Sequence, residues 1–387
     1  MKKPADLRMN PDRLYAFKSP FKILLVRMID AVGKFFYPSS VSRVPWENVK
    51  RIAVLRLDHL GDVLLALPSV KALEEALPNA QVDFIVGPWA KDIVELAGLR
   101  SITKVFTAAW FDREGVRRRT WPSWRELKKI LRDGRYDAVI ELRGDFRHIL
   151  AMYRAGIKYR IALARTGLAF LLTHQSVYHA GQHEVKRNLD TLEQAGIQLA
   201  NKPESPRLYP RNEDVKTQAE IRQKLGIARP IIAIHATCTA PSKRWLVSSW
   251  QELIDKLPED TDVVMIGAGS EKAGIEEIEK GCRRKVFLAA GSMNLAVLAA
   301  FLKESSLFIG VDSGPAHIAA SVGTPVVSLY SGTNVAAQWG PQGSKVNVIQ
   351  KVPPCSPCEL AICPIGNKCM NEITVEEVLN LVANSLH

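Results

Sequence analysis

A strand–loop–helix segment near the C-terminus carries the residues best suited to holding an anion. Residues 307–330, LFIGVDSGPAHIAASVGTPVVSLY, contain two apolar runs typical of buried strands, with a small-residue helix between them. This helix follows Asp312, Ser313 and Gly314, so its first N–H groups and its positive dipole end face that loop. Such helix termini bind phosphate groups. An ordinary strand–helix connection, capped by Asp312 or Ser313, is the alternative interpretation.

A second polar loop, DHLGD at residues 58–62, follows an apolar strand pattern in the N-terminal half. Asp62 stands where a helix N-cap is expected, so capping is one role for it. A carboxylate beside a substrate hydroxyl is also able to accept a proton, and the spacing leaves both roles open. A dinucleotide-binding turn needs three glycines here, and only Gly61 is present. This argues against an oxidoreductase.

Alternating strand and helix patterns position both loops. Strand patterns of the first half cover residues 51–57, 81–87 and 136–142, with helical patterns such as residues 62–77 between them. After a Pro-rich polar stretch, strand patterns cover residues 230–236, 262–267, 285–290, 306–312 and 325–330. The alternation predicts an α/β fold with parallel sheets and crossover helices. Two doubly wound halves would bind ligands in a cleft at the carboxyl ends of their strands.

The composition is that of a globular protein with an anionic partner. The 387 residues suffice for two domains, and 47% hydrophobic with 24% charged residues excludes a disordered chain. Lys and Arg exceed Asp and Glu by 52 to 40, and residues 104–165 alone carry sixteen basic against seven acidic residues. A membrane surface or a phosphorylated substrate fits this charge. Nucleic acid fits less well, because no aromatic stacking platform or helix-turn-helix pattern accompanies it.

Residues 20–38, PFKILLVRMIDAVGKFFYP, predict a basic amphipathic helix. The apolar positions at helical spacing are Phe21, Leu24, Leu25, Met28, Ile29, Val32, Phe35 and Phe36. Such a helix is typical of the membrane interface, and packing on its own domain is the alternative. No secretory signal pattern and no apolar run of about eighteen residues is present. We therefore expect a cytoplasmic protein in peripheral contact with a membrane.

The two loops together resemble the signatures of glycosyltransferase family 9, the heptosyltransferases of lipopolysaccharide core synthesis. The matching segments are RLDHLGDVLLALPSVKAL at residues 56–73 and VDSGPAHIAASVGTPVVSLY at residues 311–330. The resemblance extends from about residue 51 to the C-terminus. It implies the GT-B fold, in which two Rossmann-like domains face a cleft and the C-terminal one binds the donor. It also implies transfer of heptose from ADP-heptose with inversion and without a catalytic metal.

The resemblance assigns catalytic roles to Asp62 and Lys243. Asp62 would be the general base that deprotonates the acceptor hydroxyl. In IHATCTAPSKRW, residues 234–245, Thr237 would contact the donor diphosphate and Lys243 would neutralise it. A preorganised cation stabilises the negative charge that develops when the glycosyl–phosphate bond breaks. A solvated surface lysine is the alternative for Lys243.

Further donor-binding residues follow from the same resemblance. Glu271 would bind the ribose and Met293 would lie beside the adenine. Asp312 would accept hydrogen bonds from sugar hydroxyls, while Ser313 and Gly314 would hold phosphates through their N–H groups. A helix cap is the alternative for Glu271, and core packing is the alternative for Met293.

The acceptor, an anionic inner core such as Kdo-lipid A, needs basic side chains, and arginine forks suit its phosphate and carboxylate groups. The candidate acceptor-binding residues are Asp58, Arg117, Arg118, Arg119, Arg143, Arg147 and His183. Arg143 and Arg147 follow a predicted strand end that lines the cleft. A solvated basic face remains the alternative for residues 117–119. Capping or a surface role remains the alternative for His183.

A compact cysteine cluster, CSPCELAICPIGNKC, contains Cys355, Cys358, Cys363 and Cys369. The four thiols could close a tetrahedral structural zinc site, or they could be simply reduced thiols. Stable disulfides do not suit a reducing cytoplasm. No cofactor is expected for catalysis itself.

These inferences divide the chain into a basic amphipathic extension at residues 1–50, an acceptor-binding domain at 51–200, a linker at 201–228 and a nucleotide-sugar-binding domain at 229–387. The predicted function is transfer of heptose from ADP-heptose to the lipopolysaccharide inner core. Two alternatives stay open at this point. One is a family 9 enzyme with another nucleotide sugar or glycan acceptor, and the other is a non-catalytic sugar-nucleotide-binding protein.

Overall fold

The computed structural model describes residues 17, 19–37, 43–111 and 120–386. These residues form two compact units, and the boundary between them in the chain lies between Glu204 and Ser205. Each unit is built around one six-stranded parallel sheet. Candidate acceptor residues Arg117, Arg118 and Arg119 lie outside the described residues.

The N-terminal unit opens with helix α1 (Pro20–Phe36) and then alternates strands with helices. Its strands are β1 (Arg51–Arg56), β2 (Gln81–Val86), β3 (Ile102–Val105), β4 (Ala138–Glu141), β5 (Tyr159–Ala162) and β6 (His174–Gln175). Its other α-helices are α2 (Leu60–Ala76), α3 (Lys91–Glu95), α4 (Thr120–Asp133), α5 (Phe146–Arg154) and α6 (Glu184–Gln194). Short 3-10 helices cover Trp46–Asn48, Pro88–Ala90 and Ala169–Leu171. The strand order is β3-β2-β1-β4-β5-β6.

The strand order of this sheet reverses between β1 and β4, which pair with each other. Both strands are covered by helices on two faces, so their sequences are continuous apolar runs. In such a sheet the crevice at the carboxyl ends of the two strands is where ligands bind. Asp58 follows β1 and Arg143 follows β4, so the topology brings these two candidate residues to that position.

The C-terminal unit repeats the arrangement. Its strands are β7 (Ile231–His235), β8 (Asp262–Met265), β9 (Val286–Leu288), β10 (Leu307–Val311), β11 (Val326–Tyr330) and β12 (Val346–Gln350). Its α-helices are α7 (Asn212–Leu225), α8 (Val247–Lys256), α9 (Lys272–Glu279), α10 (Leu295–Lys303), α11 (Gly314–Val322), α12 (Ala336–Trp339), α13 (Lys368–Asn371) and α14 (Val375–Leu386). Short 3-10 helices cover Pro241–Lys243 and Gly269–Glu271.

The strand order here is β12-β11-β10-β7-β8-β9, so the reversal falls between β7 and β10. The loops after these two strands carry Thr237 and the residues 312–314. The predicted doubly wound α/β fold is therefore confirmed in each unit. Helix α7 lies within the stretch predicted as a linker and packs against α10. In the part of the chain that the structure describes, no helix is long and apolar enough to cross a membrane.

Candidate active site

A buried arginine organises the loop after β1. Arg56, at the end of β1, is 1% exposed and donates Nε to Asp58 Oδ1 at 2.8 Å. Its Nη1 donates to Glu184 Oε1 at 2.9 Å, and its Nη2 lies 3.2 Å from Asp62 Oδ1. Burial alone would lower the pKa of Arg56, but the three carboxylates raise it above its ordinary value. The guanidinium therefore stays charged and fixes the orientation of the carboxylates around it.

The two aspartates of this loop differ in exposure. Asp62 lies in the first turn of α2, where Oδ2 accepts a hydrogen bond from the backbone N–H of His59 at 3.2 Å. Asp62 therefore stabilises the start of α2, and its side chain is still 14% exposed to solvent. Asp58 is buried between Arg56 and Arg143, whose Nη1 lies 2.9 Å from Asp58 Oδ2. Burial raises the pKa of Asp58, although both arginines oppose this. Of the two, Asp62 is the carboxylate that a substrate can reach.

Two arginines after β4 stack on aromatic rings. The guanidinium carbon of Arg143 lies 4.1 Å from the ring centroid of Phe111, and that of Arg147 lies 4.9 Å from the ring centroid of Trp110. Asp145 holds Arg147 through both carboxylate oxygens, at 2.8 and 2.6 Å. Each guanidinium group is held by one aromatic ring and one carboxylate, Asp58 for Arg143 and Asp145 for Arg147. Both side chains are partly exposed, so their remaining N–H groups are able to bind an anion. Neither aromatic residue was predicted from the sequence, although both closely precede a run of arginines in it.

His183 caps α6, where its Nδ1 accepts a hydrogen bond from the N–H of Val185 at 3.2 Å. The next residue, Glu184, is the one that reaches Arg56. Arg187 donates a second hydrogen bond to Glu184. His183 is therefore the N-cap residue of α6, as the alternative interpretation expected. Glu184, which was not predicted from the sequence, binds Arg56 instead. Because Arg56 and Glu184 lie 128 positions apart in the chain, no local sequence pattern pointed to the pair.

In the C-terminal unit a histidine connects the ends of β7 and β10, the two strands between which the strand order reverses. His235 ends β7 and is buried, with Nδ1 2.9 Å from the Oγ of Ser313, which follows β10. Its Nε2 lies 3.3 Å from Glu271 Oε2, which also accepts a hydrogen bond from the N–H of Ala268 at 2.8 Å. Burial would raise the pKa of Glu271, but these hydrogen bonds lower it to about 2. Glu271 is therefore an ionised acceptor, suited to sugar hydroxyls.

Lys243 and Asp312 form an ion pair beside this network. Lys243 Nζ lies 2.5 Å from Asp312 Oδ2, which also accepts a hydrogen bond from Asn334 Nδ2 at 3.0 Å. The lysine side chain is 21% exposed, so it is not a solvated surface lysine. The 3-10 helix that carries it is fixed by Ser242, whose Oγ donates to the carbonyl of Leu360 at 2.6 Å. The ammonium group of Lys243 is therefore held in place by Asp312 and is still partly exposed to a ligand.

Helix α11 begins two residues after Asp312. Gly314 is the first residue of the helix and Pro315 follows it in the first turn. Ser313 occupies the cap position, but its side chain donates to the carbonyl of Val311 at 3.0 Å instead of accepting from the helix. The first-turn N–H groups therefore receive no side-chain cap from Ser313. They are suited to a phosphate.

Met293 is half-buried in the turn before α10, and Thr237 is half-buried after β7. The C-terminal unit thus gathers most donor candidates at the carboxyl ends of its strands, namely Thr237, Lys243, Glu271, Asp312, Ser313 and Gly314. In the N-terminal unit Arg56 and Asp58 connect Asp62 with Arg143. Arg147 and His183 make separate contacts there.

The cysteine cluster lies against the loop after β11, where the N–H of Cys358 donates to the carbonyl of Gly332 at 3.1 Å. None of its four cysteines forms a disulfide; Cys355 is exposed and Cys369 is buried. Within the described ranges, no group of three or more His, Cys, Asp or Glu side chains is arranged to hold a metal ion. Structural zinc stays a prediction from the spacing alone.

Two six-stranded parallel sheets, each with charged loops at its reversal point, fit the two Rossmann-like domains that the resemblance implies. Residues 124–368 match the sequence model of glycosyltransferase family 9 (heptosyltransferase), which is more than half of the chain. The chain belongs to this family. It is therefore a glycosyltransferase, and the resemblance seen in the two loops is confirmed.

Named relatives agree with this assignment. The chain is 29% identical over 294 residues to lipopolysaccharide heptosyltransferase 3 of Escherichia coli K12, covering 71% of this chain and 80% of that protein. It is 25% identical over 352 residues to the lipopolysaccharide core heptosyltransferase OpsX of Haemophilus influenzae Rd, covering 86% and 96%. Among solved structures, E. coli ADP-heptose lipopolysaccharide heptosyltransferase II matches with a TM-score of 0.69 at 20% identity, covering 87% and 98%. The GT-B fold class is confirmed by this likeness.

Proposed function

We propose that this enzyme transfers heptose from ADP-heptose to the lipopolysaccharide inner core, with Kdo-lipid A or the heptosylated core as acceptor. The observation that carries the proposal is the Lys243–Asp312 pair next to the uncapped N-terminus of α11, in a chain of the heptosyltransferase family. The reaction inverts the anomeric centre and uses no catalytic metal.

On the donor side, charge complementarity assigns each group of the nucleotide sugar a partner. The first N–H groups of α11 and the ammonium of Lys243 face the diphosphate, on which negative charge grows as the glycosyl bond breaks. Glu271, ionised and half-buried, accepts hydrogen bonds from the ribose hydroxyls. Asp312 accepts from the heptose hydroxyls, while Thr237 contacts the diphosphate and Met293 lies against the adenine.

On the acceptor side, Asp62 removes the proton from the attacking hydroxyl. The acceptor oxygen forms a bond to the anomeric carbon while the bond from that carbon to the diphosphate breaks, and ADP leaves with the electron pair. Arg56 keeps the Asp62 carboxylate oriented through the 3.2 Å contact. Arg143 and Arg147 bind anionic groups of the inner core, since their stacked guanidinium groups keep exposed N–H donors. Because this acceptor is lipid-linked, we propose that the reaction takes place at the cytoplasmic face of the inner membrane.

Release of ADP tests the base and the substrates together. The protein is incubated with ADP-heptose and Kdo-lipid A or a truncated heptosylated core, and ADP is followed over time. We expect Asp62→Asn to lower the turnover number about 10²–10⁴-fold, the usual contribution of a general base. The matched control is Asp92→Asn, an exposed aspartate in the same unit, which should turn over like wild type. Equal rates for Asp62→Asn and wild type would refute the base assignment.

Thermal shift measurements identify the donor independently. A ligand that binds only the folded state raises the apparent melting temperature by mass action. We expect ADP and ADP-heptose to raise it, and UDP- and GDP-sugars to leave it unchanged. A rise with a UDP- or GDP-sugar, and none with ADP-heptose, would identify a family 9 enzyme with a different donor.

A further inference from the structure

Helix α1 fully buries only a small and a polar residue, and it exposes most of its large apolar ones. Its buried residues are Asp30 and Gly33. Its exposed large apolar side chains are Phe21, Leu24, Leu25, Met28, Ile29, Val32, Phe35 and Phe36. Phe35 is 81% exposed. This is the reverse of a helix that packs its apolar face on a soluble domain.

Specific contacts fix this outward orientation. Asp30 Oδ1 accepts a hydrogen bond from the backbone N–H of Ala169 at 3.1 Å. Gly33 lies so close to the ring of Phe170 that a Cβ atom there would overlap it. Tyr37, just after the helix, has its ring centroid 5.8 Å from that of Phe170. The helix is therefore attached to the N-terminal unit through the face that carries Asp30 and Gly33, and the exposed apolar side chains lie on the face that points away from the domain.

The charges of α1 indicate what covers the apolar face. Lys22, Arg27 and Lys34 are exposed, whereas the acidic Asp30 is buried. An apolar stripe with basic residues around it suits an anionic lipid surface, which accepts both features at once. A second copy of this chain would instead bring the same basic residues against one another. We propose that α1 is a lipid-docking helix, lying in the plane of an anionic membrane with its apolar face in the lipid.

The segment of the domain that contacts α1 is hydrogen-bonded to the loop that carries the candidate acceptor arginines. Residues 164–171, which receive the helix, include Thr166, whose Oγ1 accepts a hydrogen bond from the N–H of Phe146 at 2.6 Å. The same Oγ1 donates to the carbonyl of Gly144 at 3.0 Å. Gly144 directly follows Arg143, and Phe146 directly precedes Arg147. The docked helix thus holds the acceptor arginines close to the lipid surface. This last step rests on the proposed function, whereas lipid docking does not.

Sedimentation with vesicles tests the docking. The full-length protein is mixed with vesicles of phosphatidylglycerol and phosphatidylcholine, or of phosphatidylcholine alone. We expect binding to the anionic vesicles that falls at least about tenfold in the double variant Val32→Glu/Phe35→Glu, because two apolar side chains leave the lipid. Both positions are highly exposed, so the fold is not strained. The matched control is Val177→Glu/Val352→Glu, which adds the same charge at other exposed positions.

Three results of this assay would overturn the docking proposal. The first is wild type that does not sediment with anionic vesicles. The second is a double variant at positions 32 and 35 that binds as wild type does. The third is a wild-type dimer in solution that dissociates in the variant while neither form binds vesicles, which would identify a second copy as the occupant.

A comparison of two acceptors separates docking from catalysis. ADP release is measured with Kdo-lipid A embedded in anionic vesicles and with a deacylated, water-soluble core oligosaccharide. We expect the double variant to lose at least about tenfold in rate on the embedded acceptor and to keep the wild-type rate on the soluble one. Equal losses on both acceptors would overturn the link between α1 and the acceptor site. Vesicle binding by a wild type that turns over neither acceptor would contradict the proposed function and leave lipid docking supported.

Discussion

Replacing Lys243 with methionine removes the charge of the proposed donor site and keeps most of the side-chain volume. Breaking a buried ion pair by deleting one partner costs about 3–5 kcal/mol, because the other charge stays buried and unpaired. Here the lysine side chain is 21% exposed and Asn334 continues to donate to Asp312. We therefore expect a loss of about 2 kcal/mol in the free energy of unfolding, measured by urea denaturation.

The effect on turnover should be larger than the effect on stability. Removing one preorganised group that stabilises developing negative charge costs about 10²–10³ in turnover number, or about 2.7–4 kcal/mol. ADP release at saturating ADP-heptose measures this directly. The double variant Lys243→Met/Asp312→Asn should regain most of the lost stability, since the unpaired carboxylate is then neutral. It should remain inactive, which would show that the low turnover does not come from lost stability.

Lys256 provides the matched control. It is an exposed lysine in the same unit, with Nζ 2.6 Å from Glu252 Oε1 one helical turn away. Such surface pairs contribute about 0.3–0.5 kcal/mol, so Lys256→Met should be nearly as stable as wild type and equally active. A folded Lys243→Met variant that releases ADP within about threefold of the wild-type rate would contradict the proposed role of Lys243.

Three further outcomes follow from the same contacts. Arg56→Gln should lower the free energy of unfolding by about 3–5 kcal/mol in urea denaturation, because it leaves buried carboxylates unpaired; a loss below about 1 kcal/mol would contradict this. Glu271 has its pKa lowered to about 2, so its stabilisation is present above about pH 4.5 and is lost as the pH falls toward 2. The melting-temperature advantage of wild type over Glu271→Gln should therefore shrink between pH 5 and 3, and a constant difference would refute the ion network. Arg143→Gln should raise the acceptor KM about tenfold and leave the ADP-heptose KM unchanged, as measured by initial rates, whereas equal changes in both would contradict an acceptor role.

The central strands of both sheets could be predicted from the sequence, and some edge strands could not. Strands β1, β7 and β10 are buried on both faces, so each appears as an uninterrupted apolar run. Strand β3 is a sheet edge with exposed positions, and β12 is half-exposed along most of its length. Their mixed polarity does not separate them from loops in the sequence.

Some features of the candidate site could likewise be predicted from the sequence, and others could not. The loop at residues 312–314 and the carboxylate of Asp62 could be predicted because strand, turn and helix follow each other within a few positions. The partners of Arg56 and His235 could not, since His235 lies 78 positions from Ser313. Such contacts depend on strand order, which brings distant loops to one sheet edge.

The amphipathic pattern of α1 predicted a helix and favoured membrane contact, with packing of its apolar side on the domain as the alternative. A repeating apolar stripe usually marks the buried side of a helix. The buried positions Asp30 and Gly33 reverse that rule, because a backbone N–H and an aromatic ring of the domain meet them. Only the tertiary contacts therefore reveal the outward apolar face.

The structure of the reaction product shows whether this enzyme transfers heptose to the inner core. The protein is incubated with ADP-heptose and Kdo-lipid A, and with heptosylated core in a parallel reaction, and the acceptors are examined by mass spectrometry and NMR. We predict the addition of one heptose residue with inverted anomeric configuration by wild type and by Asp92→Asn, and at least about a hundredfold less product in the same time by Asp62→Asn. Unmodified acceptors after incubation with folded wild-type enzyme and intact ADP-heptose would contradict the account.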